Sequence, residues 1–359
     1  MAKYYLLALT VLLIAGDNAA AQQGASNQGS SGAIEVFTGA DGTSSGWIVS
    51  PPDLGKRDGS FEKYATTSTG VDLYWTAFVP PDGLRHPAVL VLHPGGFKTG
   101  PAGPAIIAKS MSKAGFLGLA VEYRLAPPHG PMDSPRHPFP GQNDVSPVDD
   151  GHYPEQTDDV QVAIRTARAD PRCDGRVYCL GGSAGASHAL YMAATGTAGD
   201  DRPDLFVGLS GVYNMSDPSF IEQECDDPVT CPHSASTNYL GIPDNYPNFT
   251  KADIAALKAA SPDTYLNSST CPIFVMRSSR DATGISQTFD LLIETMTKIR
   301  LNESTAPIPQ AGRYKEATIP VQALAHAFDY WDLPFDGVEG HPSVAQTVVI
   351  WLKGGPPRD

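Results

Sequence analysis

Chemistry first shows in this chain at a serine set among small residues, where an apolar strand pattern turns into a helical one. The stretch DGRVYCLGGSAGASHALYM, residues 174–192, carries Gly181-Gly182-Ser183-Ala184-Gly185. An ordinary strand-to-helix turn accounts for it, since glycine permits positive φ. A nucleophile elbow accounts for it too. There the serine occupies a strained turn, and the flanking glycines are needed because any Cβ would strike the neighbouring strand or helix. Partners separate the two readings, because a serine hydroxyl is a poor nucleophile near neutral pH. It needs a histidine base, a carboxylate to orient that base, and donors for the oxyanion.

Each partner is present after an apolar run. His93-Pro94-Gly95-Gly96-Phe97 closes the strand pattern VLVL, and consecutive glycines there let the N–H groups of Gly95 and Gly96 face a developing negative oxygen. The N–H of Ala184, at the start of a helix, is a third donor. Asp281 follows FVMRSSR and precedes His326, which follows TIPVQALA, giving the chain order Ser…Asp…His. Asp263, Asp329 and Asp332 compete for the carboxylate role, and His341, at the start of the last helix, is the rival base. His93 and His188 read as structural. Most lone aspartates and histidines are solvated or structural residues, but four features in this order at strand ends rarely coincide by accident.

These motifs resemble the α/β-hydrolases, specifically the hormone-sensitive-lipase-like carboxylesterases and the related bacterial feruloyl and acetyl-xylan esterases. The resemblance runs through HPGGF (93–97), VEYRLAP (121–127), YPEQTDDVQVAIRTAR (153–168), GGSAGA (181–186), RDATGI (280–285) and LAHAFDYW (324–331), covering roughly residues 60–353. It implies Ser183 as nucleophile, Asp281 as orienter and His326 as base. Three departures stand out. Pro94 replaces the first glycine of the family loop, about twenty extra residues separate VEYRLAP from YPEQTDDV, and residues 300–316 lengthen the interval from Asp281 to His326.

The elements that must position these groups follow the same order. Apolar runs at 71–80, 88–96, 116–125, 176–185, 205–211, 272–279 and 318–326 read as strands; 102–114, 156–169, 184–195, 284–300 and 343–353 read as helices. Their alternation predicts an α/β-hydrolase fold, with a mostly parallel central sheet, helices on both faces and a small lid. Two segments interrupt the rhythm: a Pro-rich insertion at 126–156, and a lid-like stretch at 213–265 with one helix at 250–260. Both are candidates for walls or lids of a pocket, since ligands in open α/β sheets lie beyond the carboxyl ends of the strands.

The N-terminus has the form of a secretory signal peptide. Lys3 precedes an apolar run from Tyr4 to Ala15, and Ala19-Ala20-Ala21 offers small residues for cleavage after about residue 21. The run is shorter than the roughly 20 residues that span a bilayer. Residues 22–33 read as a flexible linker and 34–359 as the hydrolase domain. An exported or periplasmic location makes disulfides admissible: Cys225 and Cys231 bracket a short polar loop that could close as a ring, Cys173 and Cys179 are as near in sequence but Cys179 lies in the VYCL strand, and Cys271 is the fifth. Asn214, Asn248, Asn267 and Asn302 lie in glycosylation sequons. A formal charge of −14 without basic runs argues against a nucleic-acid partner.

The expected function is therefore that of a secreted serine carboxylesterase acting on short-acyl esters, either small molecules or groups linked to a polysaccharide. No metal or organic cofactor is implied. Phe97, Phe220 and Trp331 are candidate residues of an acyl or aromatic slot, which would admit feruloyl esters. A serine exopeptidase would need an acidic pair or propeller domain that is not visible. A hydrolase-like binding protein would be favoured by loss of a triad residue, and all three are present.

Overall fold

Residues 86–92, HPAVLVL, show why the sheet forms. Ala88, Leu90 and Leu92 join the hydrophobic cluster on one face, while Val89 and Val91 join the cluster on the other. A strand covered on both sides has no use for polar alternation, so it reads as a continuous apolar run. The computed structural model describes residues 35–36, 47–48, 59–98, 104–126, 151–217, 220, 235–243, 245, 248–303 and 314–354.

Two short strands, β1 (Glu35–Val36) and β2 (Trp47–Ile48), pair antiparallel. The main sheet contains β3 (Ser60–Thr66), β4 (Asp72–Phe78), β5 (His86–Leu92), β6 (Leu117–Val121), β7 (Cys173–Gly182), β8 (Leu205–Leu209), β9 (Ile273–Ser278) and β10 (Tyr314–Ile319). Its order is β10-β9-β8-β7-β5-β6-β4-β3. The strands from β10 to β6 run parallel, and β4 and β3 are added antiparallel. The described helices are α1 (Pro104–Lys113), α2 (Glu155–Ala169), α3 (Ala184–Thr195), α4 (Ala235–Leu240), α5 (Lys251–Ala260), α6 (Thr283–Glu303) and α7 (Val344–Gly354). Apolar residues of α2, α3 and α6, among them Ile164, Leu190 and Leu292, pack on one face. Met111 of α1 and Val348 of α7 pack on the other. The expectation of a mostly parallel sheet covered on both faces is met.

The crossover from β5 through α1 leads to β6 on one side, and the crossover from β7 through α3 leads to β8 on the other. β5 and β7 are themselves neighbours, with Leu92 beside Gly181. The strand order therefore reverses direction between them, and a crevice opens at their carboxyl ends. Gly182 pairs with Leu209, Leu209 with Met276, and Ser278 with Ile319. Five strand ends thus face the same side of the molecule.

Four strand assignments differ from the sequence reading. β1, β2 and β3 were not anticipated, and β10 occupies residues 314–319 rather than 318–326. Residues 320–325 form a loop in which Leu324 is exposed and Ala325 buried. His326 thus lies beyond the strand, just before a 3₁₀ turn at Ala327–Tyr330. Within 213–265, α5 matches the expected helix. Thr250 caps it by accepting from the Asp253 amide at 3.2 Å, and its own amide donates to the Asp253 carboxylate at 2.9 Å. Leu257 and Ala260 of α5, Tyr239 of α4 and Phe220 form a third cluster with Phe97 and Ala184. Cys173, Cys179 and Cys271 are buried free thiols. Cys225, Cys231, the signal sequence, the linker and most of the 126–156 insertion lie outside the described residues.

Candidate active site

Ser183 stands between β7 and α3 with φ of 49° and ψ of −120°, a conformation L-residues seldom adopt. The glycines around it have steric reasons. A Cβ at Gly181 would lie 2.4 Å from the Gly185 carbonyl oxygen, and one at Gly185 would lie 2.4 Å from that of Leu92. Close approach of the helix start to both β7 and the end of β5 therefore requires both positions to lack a side chain. The Ser183 amide donates to the Leu209 carbonyl at 2.9 Å, which continues the sheet pairing into the turn. The bend is thereby held from the side of β8.

The loop after β5 reaches the same place, because Gly185 sits against the carbonyls of Leu92 and His93. Gly95 and Gly96 have φ of 132° and 56°, values that favour glycine, and Phe97 follows with φ of 65°. His93 serves this loop structurally. Its ring stacks on Tyr123 at 4.0 Å, its Nδ1–H donates to the Pro94 carbonyl at 2.8 Å, and its own carbonyl accepts from the Tyr123 hydroxyl. Tyr123 and Arg124 continue from β6. The Arg124 guanidinium meets the buried Asp159 carboxylate of α2 at 2.8 Å, so VEYRLAP and YPEQTDD come together beneath the loop.

Asp281 and His326 are brought together. His326 Nδ1–H donates to Asp281 Oδ1 at 2.7 Å, and the Asp281 side chain is fully buried while the ring is partly exposed. Two contacts that sequence reasoning missed hold the histidine's backbone. The buried Ser278 hydroxyl donates to the Ala325 carbonyl at 2.5 Å, and the His326 amide donates to Asp329 Oδ2 at 2.9 Å. Burial pushes the Asp329 carboxyl up from its usual range, opposed by that amide hydrogen bond. The next residues abut the elbow: a Cβ at Gly182 would meet Ala327 Cβ at 3.0 Å and the Phe328 ring at 3.1 Å. Ser183 Oγ makes no hydrogen bond among the described residues.

Three of the rivals are engaged elsewhere, and the fourth, Asp332, is exposed. Asp329 caps the His326 backbone rather than its ring. Asp263 accepts from Asn214 Nδ2 at 2.9 Å, and burial pushes its carboxyl up to about 6. His341 pairs with Asp336 on the surface at 2.7 Å. Of the expected slot residues, Phe97 and Phe220 share the cluster that contains Ala184. Trp331 does not join them, because it packs with Val344 and Val348 in the core layer on the α7 side. Phe328 is the aromatic ring that reaches the elbow. Among the described residues, no group of three or more His, Cys, Asp or Glu side chains is placed to hold a metal ion, and no helix is long and apolar enough to cross a membrane.

No family model and no curated protein sequence matches the chain. Solved structures do. An acetyl ester-xyloside bifunctional hydrolase from Caldicellulosiruptor lactoaceticus is 16% identical, with a TM-score of 0.55 over 82% of this chain and 96% of that one. Esterase 2 of Thermogutta terrifontis, phosphorylated by paraoxon, is 16% identical, with a TM-score of 0.54 over 85% of this chain and 94% of that one. The propionate-bound form of the Thermogutta esterase gives 18% identity and a TM-score of 0.51 over 77% and 87%. At these identities the likeness is one of architecture. Strand order, the reversal between β5 and β7, and these neighbours together give the chain the α/β-hydrolase fold.

Proposed function

We propose that the protein is an exported serine carboxylesterase that hydrolyses short-acyl esters. The observation that carries this reading is the buried Asp281 carboxylate bound to His326, with the next residues of the histidine loop packed on the glycine before the strained Ser183. Export rests on the sequence of residues 1–21.

In the proposed reaction His326 Nε2 takes the Ser183 Oγ proton as the oxygen attacks the ester carbonyl. The carbonyl π electrons move onto oxygen, which is held by the N–H groups of Gly95, Gly96 and Ala184. As the tetrahedral intermediate collapses, the C–O bond to the alcohol breaks and His326 returns the proton to the departing alkoxide. Water then attacks the acyl-enzyme through the same base, releasing the acid and restoring the Ser183 hydroxyl. Asp281 fixes the ring with Nδ1 protonated and Nε2 free to accept, and offsets the positive charge that forms on it.

A short acyl group is favoured by the composition of the segments around the site. The described helices of 213–265 run only 6 and 10 residues, and the 126–156 insertion is rich in Pro, Asp and His rather than Leu or Phe. Propionate bound to the Thermogutta esterase supports the same size class, and the phosphorylation of that esterase by paraoxon supports a serine mechanism. The second reading, an acetyl or feruloyl ester carried on a polysaccharide, is favoured by the acetyl ester-xyloside hydrolase among the structural neighbours. The deciding experiment compares kcat/KM on C2, C4 and C12 p-nitrophenyl esters, feruloyl esters and acetylated xylan. C2 or C4 turnover above C12 is expected. Preference for C12 would overturn the short-acyl reading, and no turnover on any ester would overturn the esterase reading.

A further inference from the structure

Phe97 keeps a side chain at φ of 65°, where non-glycine backbone is strained and persists only if its surroundings hold it. Its carbonyl accepts two hydrogen bonds, from the Ala126 amide at 2.8 Å and from Gln156 Nε2 at 2.9 Å. Its ring stacks on Tyr239 at 4.3 Å and meets His188 edge-on at 5.4 Å. The second proton of Gln156 Nε2 goes to the Gly151 carbonyl at 2.7 Å, where the 126–156 insertion returns to the body of the domain. With both amide protons directed to carbonyls, Gln156 Oε1 faces His188 Nε2 at 3.0 Å. An amide oxygen only accepts, so the imidazole proton sits on Nε2.

His188 belongs to α3, one turn beyond Ser183, and is enclosed by the rings of Phe97, Tyr123 and Tyr239. Burial pulls its pKa down to about 3, so the ring is neutral at working pH. A single fully buried amide therefore links three parts: the loop after β5, the root of the insertion, and the helix that follows the elbow. None of its hydrogen bonds serves the regular pairing of helix or sheet. We infer that Gln156, oriented by His188, is a positioning residue that holds the Gly95–Phe97 loop so that its N–H groups face the oxyanion. The inference rests on the esterase reading of the same site.

The test compares Gln156→Leu, Gln156→Glu and His188→Phe with the wild type on p-nitrophenyl acetate, with circular dichroism and thermal melting in parallel. Removing an oxyanion donor outright costs about 10²–10³ in kcat, so misaiming the loop in Gln156→Leu is expected to cost about 10- to 100-fold with KM within about twofold. His188→Phe keeps a ring in the aromatic enclosure but loses the bond that orients the amide, and a smaller fall of the same kind is expected.

Gln156→Glu can still accept from His188 but, when ionised, offers nothing to the two carbonyls. Protonation restores one donor, so its kcat relative to wild type rises as pH is lowered. The other titratable groups near this position are Arg124 and Asp159 in their buried pair, Glu155 and Asp158 on α2, and His93, His152 and His188. Tyr123 and Tyr239 also face the cluster; all are shared with the wild type, so the ratio reads residue 156 together with His188, which it contacts. Gln156→Leu at wild-type kcat overturns the inference, as does a Gln156→Glu ratio that does not vary with pH. If Gln156→Leu fails to fold, the other two variants decide. A wild type without ester turnover overturns the esterase reading itself, whereas an active wild type with unaffected variants overturns only the role of Gln156.

Discussion

His326 Nδ1 lies 2.7 Å from Asp281 Oδ1, although one residue arrives from the loop after β10 and the other from the loop after β9. The two strands are parallel neighbours, with Ser278 beside Ile319, so both loops leave the sheet on the same side. Asp281 Oδ1 also accepts from the Ala282 amide at 3.1 Å, which fixes the carboxylate before the ring meets it.

Asp281→Asn should therefore cost about 10³- to 10⁴-fold in kcat, because an amide at this position favours the wrong tautomer of His326. Asp329→Asn retains an oxygen for the His326 amide and should stay within about threefold of wild type. Steady-state kinetics on p-nitrophenyl acetate check both; equal losses would mean that Asp329 orients the ring as much as Asp281 does.

Ser183→Ala should remove turnover by about 10³-fold or more while leaving the melting transition in place, since only binding and the oxyanion donors remain. Retention of a tenth of the activity would exclude Ser183 as nucleophile. His326→Ala should fall alongside it, and His341→Ala, which removes only an exposed pair with Asp336, should not.

Gly185→Ala places a methyl 2.4 Å from the Leu92 carbonyl oxygen, and backbone on both sides leaves nothing flexible to move. A loss of more than about 3 kcal/mol is expected from such overpacking. Denaturant midpoints measure it, and a shift below about 1 kcal/mol would show that α3 can lift from the end of β5.

Two buried groups tilt stability in opposite senses with pH. His188 has its pKa lowered from 6.5 to about 3, so the native state binds fewer protons there than the unfolded chain; its contribution is present above 6.5 and lost as pH falls toward 3. Asp263 has its pKa raised from 3.8 to about 6, so its contribution is present below 3.8 and lost as pH rises through 6. Each slope approaches about 1.4 kcal/mol per pH unit, and between roughly pH 4 and 6 they offset one another. Melting across that window should therefore change in opposite directions, relative to wild type, in His188→Phe and Asp263→Asn. His188→Phe should gain relative stability on acidification and Asp263→Asn should lose it; parallel curves would refute both assignments.

Much of this architecture was legible because β5 to β9 are buried on both faces and their composition says so. What stayed hidden has physical causes. β3, SFEKYAT, buries only Tyr64, and the polar residues of β10, YKEATI, displaced its predicted position toward the apolar VQALA that follows. Ser183 stood out because an elbow needs glycines at fixed offsets, and the Asp281–His326 pair because each follows an apolar run. Ser278, Phe328 and Gln156 did not, since a hydroxyl, a ring and an amide acquire their roles only from what the fold sets opposite them. Trp331 misled for the same reason: an aromatic next to a histidine loop belongs to whichever layer its backbone turns toward.

The polarity that concealed β3 and β10 has another consequence, since these are the outermost strands of the sheet. An edge offers unpaired backbone groups to any extended chain that approaches, and flat apolar edges invite such addition. Here one edge carries exposed Lys63, and Glu62 is clasped by the Arg172 guanidinium at 2.6 and 2.8 Å; the other carries exposed Lys315 and Glu316. A second copy aligning its own strand would have to strip water from those charges and break that clasp. Among the described residues the sheet ends at β3 and β10, and an approaching strand would meet charged side chains at either edge.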